Sequence, residues 1–401
     1  MTQDFSDPDC RRNLLSLFSP GNGVAPPELA GREQPMNKLE HHLQRLARQS
    51  PPPADAVLYG PRGNGKTVLL GAFREHCRET DVNVISLRPD DIGNQADLAA
   101  RLLYRDDDLP GRLLDSIRPD ALRFNLPGIG GADWKRLDPG EKDRFCARHL
   151  PGLLQARCRD KPLVVTLDEA HTLDNNVGKR LLNVSEVVRN EGAPFLLVMA
   201  GTPNLRRRLG RMNASFWNRA EKLGIGRLTP AATGSALAKP LADLGIDIEP
   251  EALTAVVADS QCYPYFIQVW GRALCQAMVA DKTFRVSPDI VRRARPEVEE
   301  QRADYYVDRY REMQDADLLP AAVALGRLYA AGSGEHDEQT IRQALQDAGA
   351  APDETTAKRL VSELSDLGYL WQTPASTLWE PGIPSLVDYM LTTAPIHAGA
   401  G

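Results

Sequence analysis

Short apolar runs alternate with amphipathic stretches through the first 230 or so residues. The runs are Ala56-Val57-Leu58-Tyr59, Val82 to Leu87, Leu163 to Leu167 and Phe195 to Ala200, with a weak fifth near Lys222 to Leu228. Each is too short for a helix and apolar on both alternating faces, which predicts strands buried on both sides of a sheet. Between them lie helical patterns: one through Met36, Leu39, Leu43 and Leu46, one from the glycine-rich turn to Arg78, one over Gln95 to Tyr104 and one from Glu141 to Arg157. Strands alternating with helices predict a parallel sheet covered on both faces. From Thr229 the strands stop, and helices are predicted at 232–244, 250–258, 264–280 and 287–294. A last pattern begins near Asp317. It reads as three helices (Leu318 to Ala331, Glu338 to Ala348, Glu354 to Leu367) followed by a hairpin of Tyr369 to Gln372 and Leu378 to Glu380.

The stretch joining the first strand to its helix carries the chemistry. Gly60-Pro61-Arg62-Gly63-Asn64-Gly65-Lys66-Thr67 fits the phosphate-loop pattern G-x-x-x-x-G-K-[ST], placed where a strand ends and a helix begins. The three glycines let the backbone N–H groups converge on one point, and the helix from Gly65 aims the positive end of its dipole there. Lys66 supplies a point charge for the β- and γ-phosphates, and the Thr67 hydroxyl is placed to hold Mg²⁺.

Binding alone is not hydrolysis. Leu167-Asp168-Glu169-Ala170-His171 follows the third strand, at the carboxyl edge where such sheets bind ligands. Asp168 is placed to hold Mg²⁺ directly or through water, and Glu169 to polarise the attacking water as general base. An Asp-Glu pair can also be plain solvated capping; the phosphate loop upstream decides for the catalytic reading. Gly201-Thr202-Pro203-Asn204 ends the fourth strand, where Thr202 either orients the water or caps the turn. Arg206-Arg207-Arg208, Arg211 and Phe216-Trp217-Asn218-Arg219 form an arginine-rich segment. It reads either as a solvated basic face or as the source of an arginine that stabilises phosphoryl charge in a neighbouring subunit; Arg219, beside two aromatics, is the one held in place.

With these residues in hand, the chain resembles the AAA+ superfamily, and within it the origin-recognition-like ATP-binding proteins of bacteria and archaea. Leu29-Ala30-Gly31-Arg32-Glu33 looks like their nucleotide-edge motif, Gly60 to Thr67 like Walker A and Leu163 to Glu169 like Walker B. Gly201-Thr202-Pro203 looks like the sensor 1 turn, the segment around Arg219 is similar to the arginine-finger region, and Cys262 to Gln268 looks like the lid motif. The C-terminal helices and hairpin resemble the winged-helix domain of these proteins. The resemblance implies a P-loop parallel sheet of AAA+ type (28–228) followed by a helical lid (229–315) and a winged helix (316–391); the residues themselves read as a leader at 1–27, punctuated by turns, and a disordered tail at 392–401. It also implies ATP with Mg²⁺ as the bound pair, Arg32 at the nucleotide edge, and a homo-oligomer or partner protein, because the finger acts in trans. The chain has no N-K-x-D stretch of the guanine-specific kind. Where these proteins carry the sensor 2 arginine, this chain has Tyr265, with Arg272 about two turns further on, which implies slow turnover.

Composition trims the alternatives. With 401 residues, 42% apolar and 25% charged, the chain is long enough for two or three domains. No run of 18 apolar residues exists, and the six cysteines form no C-x-x-C pair, which predicts reduced thiols in a cytoplasmic protein with no membrane partner. The formal net charge is −6, and from Asp317 to Thr392 eleven acidic residues face four basic ones. A duplex reader needs lysine and arginine against phosphates, so DNA is disfavoured as a partner of the last module. The functions left are an ATPase that switches assembly or partner contacts, a slow-turnover signalling switch, or an accessory ATPase of replication or transposition type.

Overall fold

The computed structural model describes residues 5–21, 23–103, 138–331, 334–372 and 376–398; for 139, 142, 143, 145–147 and 393–398 only the backbone is described. The chain divides into two compact units. One comprises Pro35–Tyr59 and Leu70–Leu223. The other comprises Met1–Gln34, Gly60–Leu69 and Gly224–Gly401.

The first unit is built on a five-stranded sheet. Its strands are β1 (Ala56–Tyr59), β2 (Asn83–Leu87), β3 (Leu163–Leu167), β4 (Phe195–Gly201) and β5 (Glu221–Gly224), in spatial order β2-β3-β4-β1-β5. The pairs β2–β3, β3–β4 and β4–β1 are parallel, with Leu87 opposite Leu167, Leu167 opposite Met199 and Tyr59 opposite Gly201. Every residue of β3 and β4 is buried, which is why both read as unbroken apolar runs. The register brings the ends of β1, β3 and β4 to one edge, so Asp168 and Thr202 both leave the sheet there. The weak fifth strand is real but ends at Gly224 rather than Leu228. Before the third strand, Asp138 and Glu141 form a reciprocal capping box that starts the helix Pro139–Asp160. The irregular stretch expected at 105–140 lies, up to residue 137, outside the described residues.

Asp55, next to β1, is fully buried beneath this sheet. Its carboxylate accepts from the Ser185 hydroxyl (2.7 Å) and the Leu197 N–H (3.0 Å), with Arg189 at 3.5 Å. Burial pushes its carboxyl above the usual carboxylate range, against the pull of Arg189. Removing one member of such a group strands the others. Asp55→Ala is therefore expected to cost about 3 kcal/mol, read as a lowered denaturant midpoint for this unit; an unchanged midpoint would show the cluster to be dispensable.

The second unit is helical. Pro230–Asp243, Pro250–Ser260 and Pro264–Asp281 match the expected helices closely. The helix expected at 287–294 instead runs Pro288–Asp315. Its later turns bury Val298, Tyr306, Tyr310 and Met313 within a largely charged sequence, too few apolar positions to show the period. A short parallel pair, β6 (Asp247–Ile248) and β7 (Arg285–Val286), was not expected. The leader is not loose: it forms the helix Pro8–Ser16, and Phe18 is buried against Gly271, where a Cβ would lie 2.4 Å from the ring. The next three helices, Leu319–Ala331, Glu338–Asp347 and Glu354–Asp366, precede the antiparallel hairpin of β8 (Leu370–Gln372) and β9 (Trp379–Pro381) in the order expected. A further helix, Pro384–Ala398, then packs on Leu319–Ala331 and occupies most of the stretch read as a disordered tail. Leu386 and Met390 anchor it in the core.

Candidate nucleotide-binding site

The phosphate loop belongs to the helical unit. Gly63 and Gly65 have φ of +75° and +82°, the left-handed region that side chains with a Cβ rarely adopt. At Gly63 a Cβ would also lie 2.3 Å from the Tyr263 hydroxyl, whereas at Gly65 it would meet open space. The loop thus has one face pressed on protein and one face clear. Lys66, only 6% exposed, donates to the carbonyls of Gly60 (2.9 Å) and Pro61 (2.7 Å). Its charge is thereby held inside the loop against neutral acceptors, at the first residue of the helix Lys66–Glu79. Asn64 is fully buried, and neither its side-chain oxygen nor its nitrogen has a hydrogen-bond partner among the described residues. A cationic loop at a helix N-terminus with a clear glycine face and an unsatisfied amide fits a polyphosphate.

Arg32 braces this loop. Its guanidinium donates to the Asn64 carbonyl (2.9 Å) and the Gly226 carbonyl (2.7 Å). Burial lowers its pKa to about 10, so it keeps its charge at neutral pH. Thr67 is half-buried, and a Cβ at Gly23 of the leader would lie 3.3 Å from its methyl group. Arg62 is tied twice. Its carbonyl accepts from the Tyr263 hydroxyl, which also lies 3.0 Å from the Tyr305 hydroxyl, and its guanidinium is 3.4 Å from Glu312. Pro61 meets the C-terminal hairpin region, since a Cβ at Gly382 would sit 3.1 Å from its ring. These braces on Pro61 and Arg62 carried no signal in the sequence, because each joins residues more than 200 positions apart.

The acidic residues Asp168 and Glu169 lie in the sheet unit. Asp168 is half-buried and accepts from the Glu169 N–H (2.9 Å); Arg74 lies near enough for its charge to be felt. Burial lowers the Arg74 pKa, with Asp168 opposing that shift, and its guanidinium donates to the Ser86 hydroxyl at 2.6 Å. Glu169 is exposed and its backbone is left-handed, φ +49° and ψ +32°, an uncommon conformation for a non-glycine residue. Thr202, 3% exposed, turns its N–H toward His171 Nδ1 at 3.5 Å. Sequence reasoning quoted His171 without a role and passed over Arg74 altogether. Arg219 makes a bidentate pair with Glu186 at 2.6 and 2.8 Å and stays 44% exposed. That pairing holds the Glu186 carboxyl below its usual range. Trp217 lies under Arg206 and Lys222, and Arg208 donates to the Leu173 carbonyl, so the arginine triplet is dispersed among separate partners.

Tyr265 stacks on Tyr305 with ring centroids 4.7 Å apart. Arg272 lies 3.7 Å from Glu297, and its buried Nε has no hydrogen-bond partner among the described residues. Among the described residues no group of three or more histidine, cysteine or acidic side chains could hold a metal, and no helix is long and apolar enough to cross a membrane.

Comparison with known proteins shows a likeness of sequence family in part of the chain and of fold over most of it. Residues 28–198 match the AAA ATPase domain family. Among solved structures, a Walker-type ATPase of Pyrococcus abyssi aligns over 94% of this chain and 99% of its own, with a TM-score of 0.60 and 16% identity. The ORC2 protein of Aeropyrum pernix, in ADPNP–ADP complexes, aligns over 96% and 98% with a TM-score of 0.57 and 16% identity. Its ADP form gives 0.54 at 15% identity, over 94% and 99%. No curated protein sequence matches the chain. Residues 28–198 are thus similar to the AAA ATPase domain family, and the chain shares its fold with the Walker-type ATPase of Pyrococcus abyssi and the ORC2 protein of Aeropyrum pernix.

Proposed function

We propose that this protein is an Mg²⁺-dependent ATPase that uses its nucleotide state to switch assembly or partner contacts. The observation that carries the reading is Lys66: a buried ammonium in a glycine loop, satisfied by neutral carbonyls and set at a helix N-terminus. Gly60 to Thr67 would cradle the phosphates, and Arg32 would fix the loop at the nucleotide edge. Thr67 and Asp168 would hold Mg²⁺, which when bound neutralises charge on the phosphates. Glu169 would take the proton of the attacking water, with Thr202 orienting it. Domain assignments of 28–228, 229–315 and 316–391 belong to the same reading, the last as a winged helix.

Arg219 is the proposed finger. Its Glu186 pairing holds the guanidinium in place while leaving it partly exposed, which is compatible with reaching a neighbouring subunit once that pair opens. An ATP-dependent increase in particle size, together with steady-state phosphate release, tests the whole reading; no release under Mg-ATP would overturn it. Arg219→Ala should lower that release on the order of 10³-fold at protein concentrations where subunits assemble. Mixing Arg219→Ala with Glu169→Gln should restore part of it, and no restoration would remove the action in trans.

A slow-turnover switch is the second reading, favoured by Tyr265 packed where an arginine would otherwise sense the nucleotide. As for partners, three of the four basic residues of the last module are already engaged. Lys358 and Arg342 pair with Glu354, and Arg359 with Glu363. Pairing of this kind supports protein contact rather than DNA phosphates as the use of that module.

A further inference from the structure

His171 sits where one ring nitrogen meets two demands that it cannot meet together. Its Nδ1 lies 3.4 Å from Glu169 Oε2 and 3.5 Å from the Thr202 backbone nitrogen, and the ring is nearly buried, at 9% exposure. Gly201 leaves room for it, since a Cβ there would come within 3.3 Å of the same Nδ1. The carboxylate of Glu169 needs a donor, so Nδ1 must carry a hydrogen to hold it. The Thr202 N–H needs an acceptor, so Nδ1 must then present its lone pair. A neutral imidazole offers one or the other at that atom, and both distances are long for a fully formed bond. The loop leading to the ring is firm: the Thr172 N–H and hydroxyl both bond the Glu169 carbonyl, and Arg208 pins the Leu173 carbonyl.

The geometry points to His171 as a positioning residue that holds Glu169 in one state and the Thr202 turn in the other. Resting on the ATPase reading above, this deepens it: the turn at the end of β4 and the general base are linked by an either-or contact. When Nδ1–H donates, the Glu169 carboxylate is oriented for its proton transfer. When Nδ1 accepts from Thr202, its lone pair is used there, Nδ1 has no hydrogen to offer the carboxylate, and Glu169 is released. Displacement of the Thr202 turn therefore decides whether the base is set.

The test uses the full chain with Mg-ATP. His171→Ala should lower kcat about tenfold to a hundredfold, the range for losing orientation of one catalytic group, while KM and nucleotide affinity stay within about twofold. His171→Asn places an amide that can donate or accept close to where Nδ1 lies, and should recover most of the rate; His171→Gln, which reaches past it, should not. In a Glu169→Gln background, His171→Ala should have no further effect. Unchanged kcat in His171→Ala, equal loss in His171→Asn, or additive losses with Glu169→Gln would each overturn the inference. These results differ from failure of the ATPase reading, in which the unmodified protein itself releases no phosphate. Should His171→Ala not fold, the Asn and Gln variants alone decide.

Discussion

Lys66→Ala is expected to abolish ATP binding while leaving the fold intact. The ammonium donates two hydrogen bonds to loop carbonyls, and a triphosphate would replace those neutral acceptors with charged ones. Hydrogen bonds to charged groups contribute about 1.5–3 kcal/mol each, so losing the cation should weaken ATP by at least roughly 10²-fold. The fold should survive because alanine removes a buried charge instead of stranding one, and the glycine loop stays braced through Arg32 and Tyr263. Calorimetric titration reads the affinity directly. Thermal shift gives a second measure, since ligand at a hundred times its Kd stabilises a folded protein by about 2.7 kcal/mol. The unmodified chain should show that shift and the variant none; equal affinity in both would remove the phosphate loop as the binding site.

Glu169→Gln should do the reverse, keeping ATP and stopping turnover. Glutamine matches glutamate in shape, so the left-handed backbone at this position meets no new steric demand. It cannot accept a proton, and losing a general base costs about 10² to 10⁴ in rate. Phosphate release should fall by that factor while the Kd for ATP is unchanged. If ATP drives assembly, this variant should remain in the larger form long after the unmodified protein has returned to the smaller. Phosphate release at the unmodified rate would leave Glu169 without a role as base.

The parts of the molecule legible in the sequence are those whose physics is local. The strand runs ahead of Gly60, Asp168 and Gly201 announce themselves because both faces of β3 and β4 are buried, leaving no polar alternation to blur them. Walker A is legible because only glycine tolerates φ near +80° at Gly65, and because Lys66 and Thr67 must follow at fixed spacing. The helix Pro288–Asp315 was cut short in the sequence reading for the opposite reason. Its buried side chains are sparse, and its length is sustained by tertiary packing of Tyr306, Tyr310 and Met313. The helix Pro384–Ala398 shows no clear apolar period in the sequence, and its packing, with Leu391 beside Gly326 and Leu386 and Met390 buried, belongs to the tertiary structure.

By itself the sequence determined the chemistry: a glycine loop with its lysine, an acidic pair after a buried strand, and the order of elements that carries them. Tertiary structure alone decided what holds those groups. It tied Arg62 to Tyr263 and Glu312, set Arg219 on Glu186, and brought His171 to Glu169 and Thr202 through the register of two neighbouring strands. The division has a physical origin. Backbone conformation and burial leave their mark on a few adjacent residues, whereas a hydrogen bond across 30 or 200 positions leaves none until the chain has closed on itself.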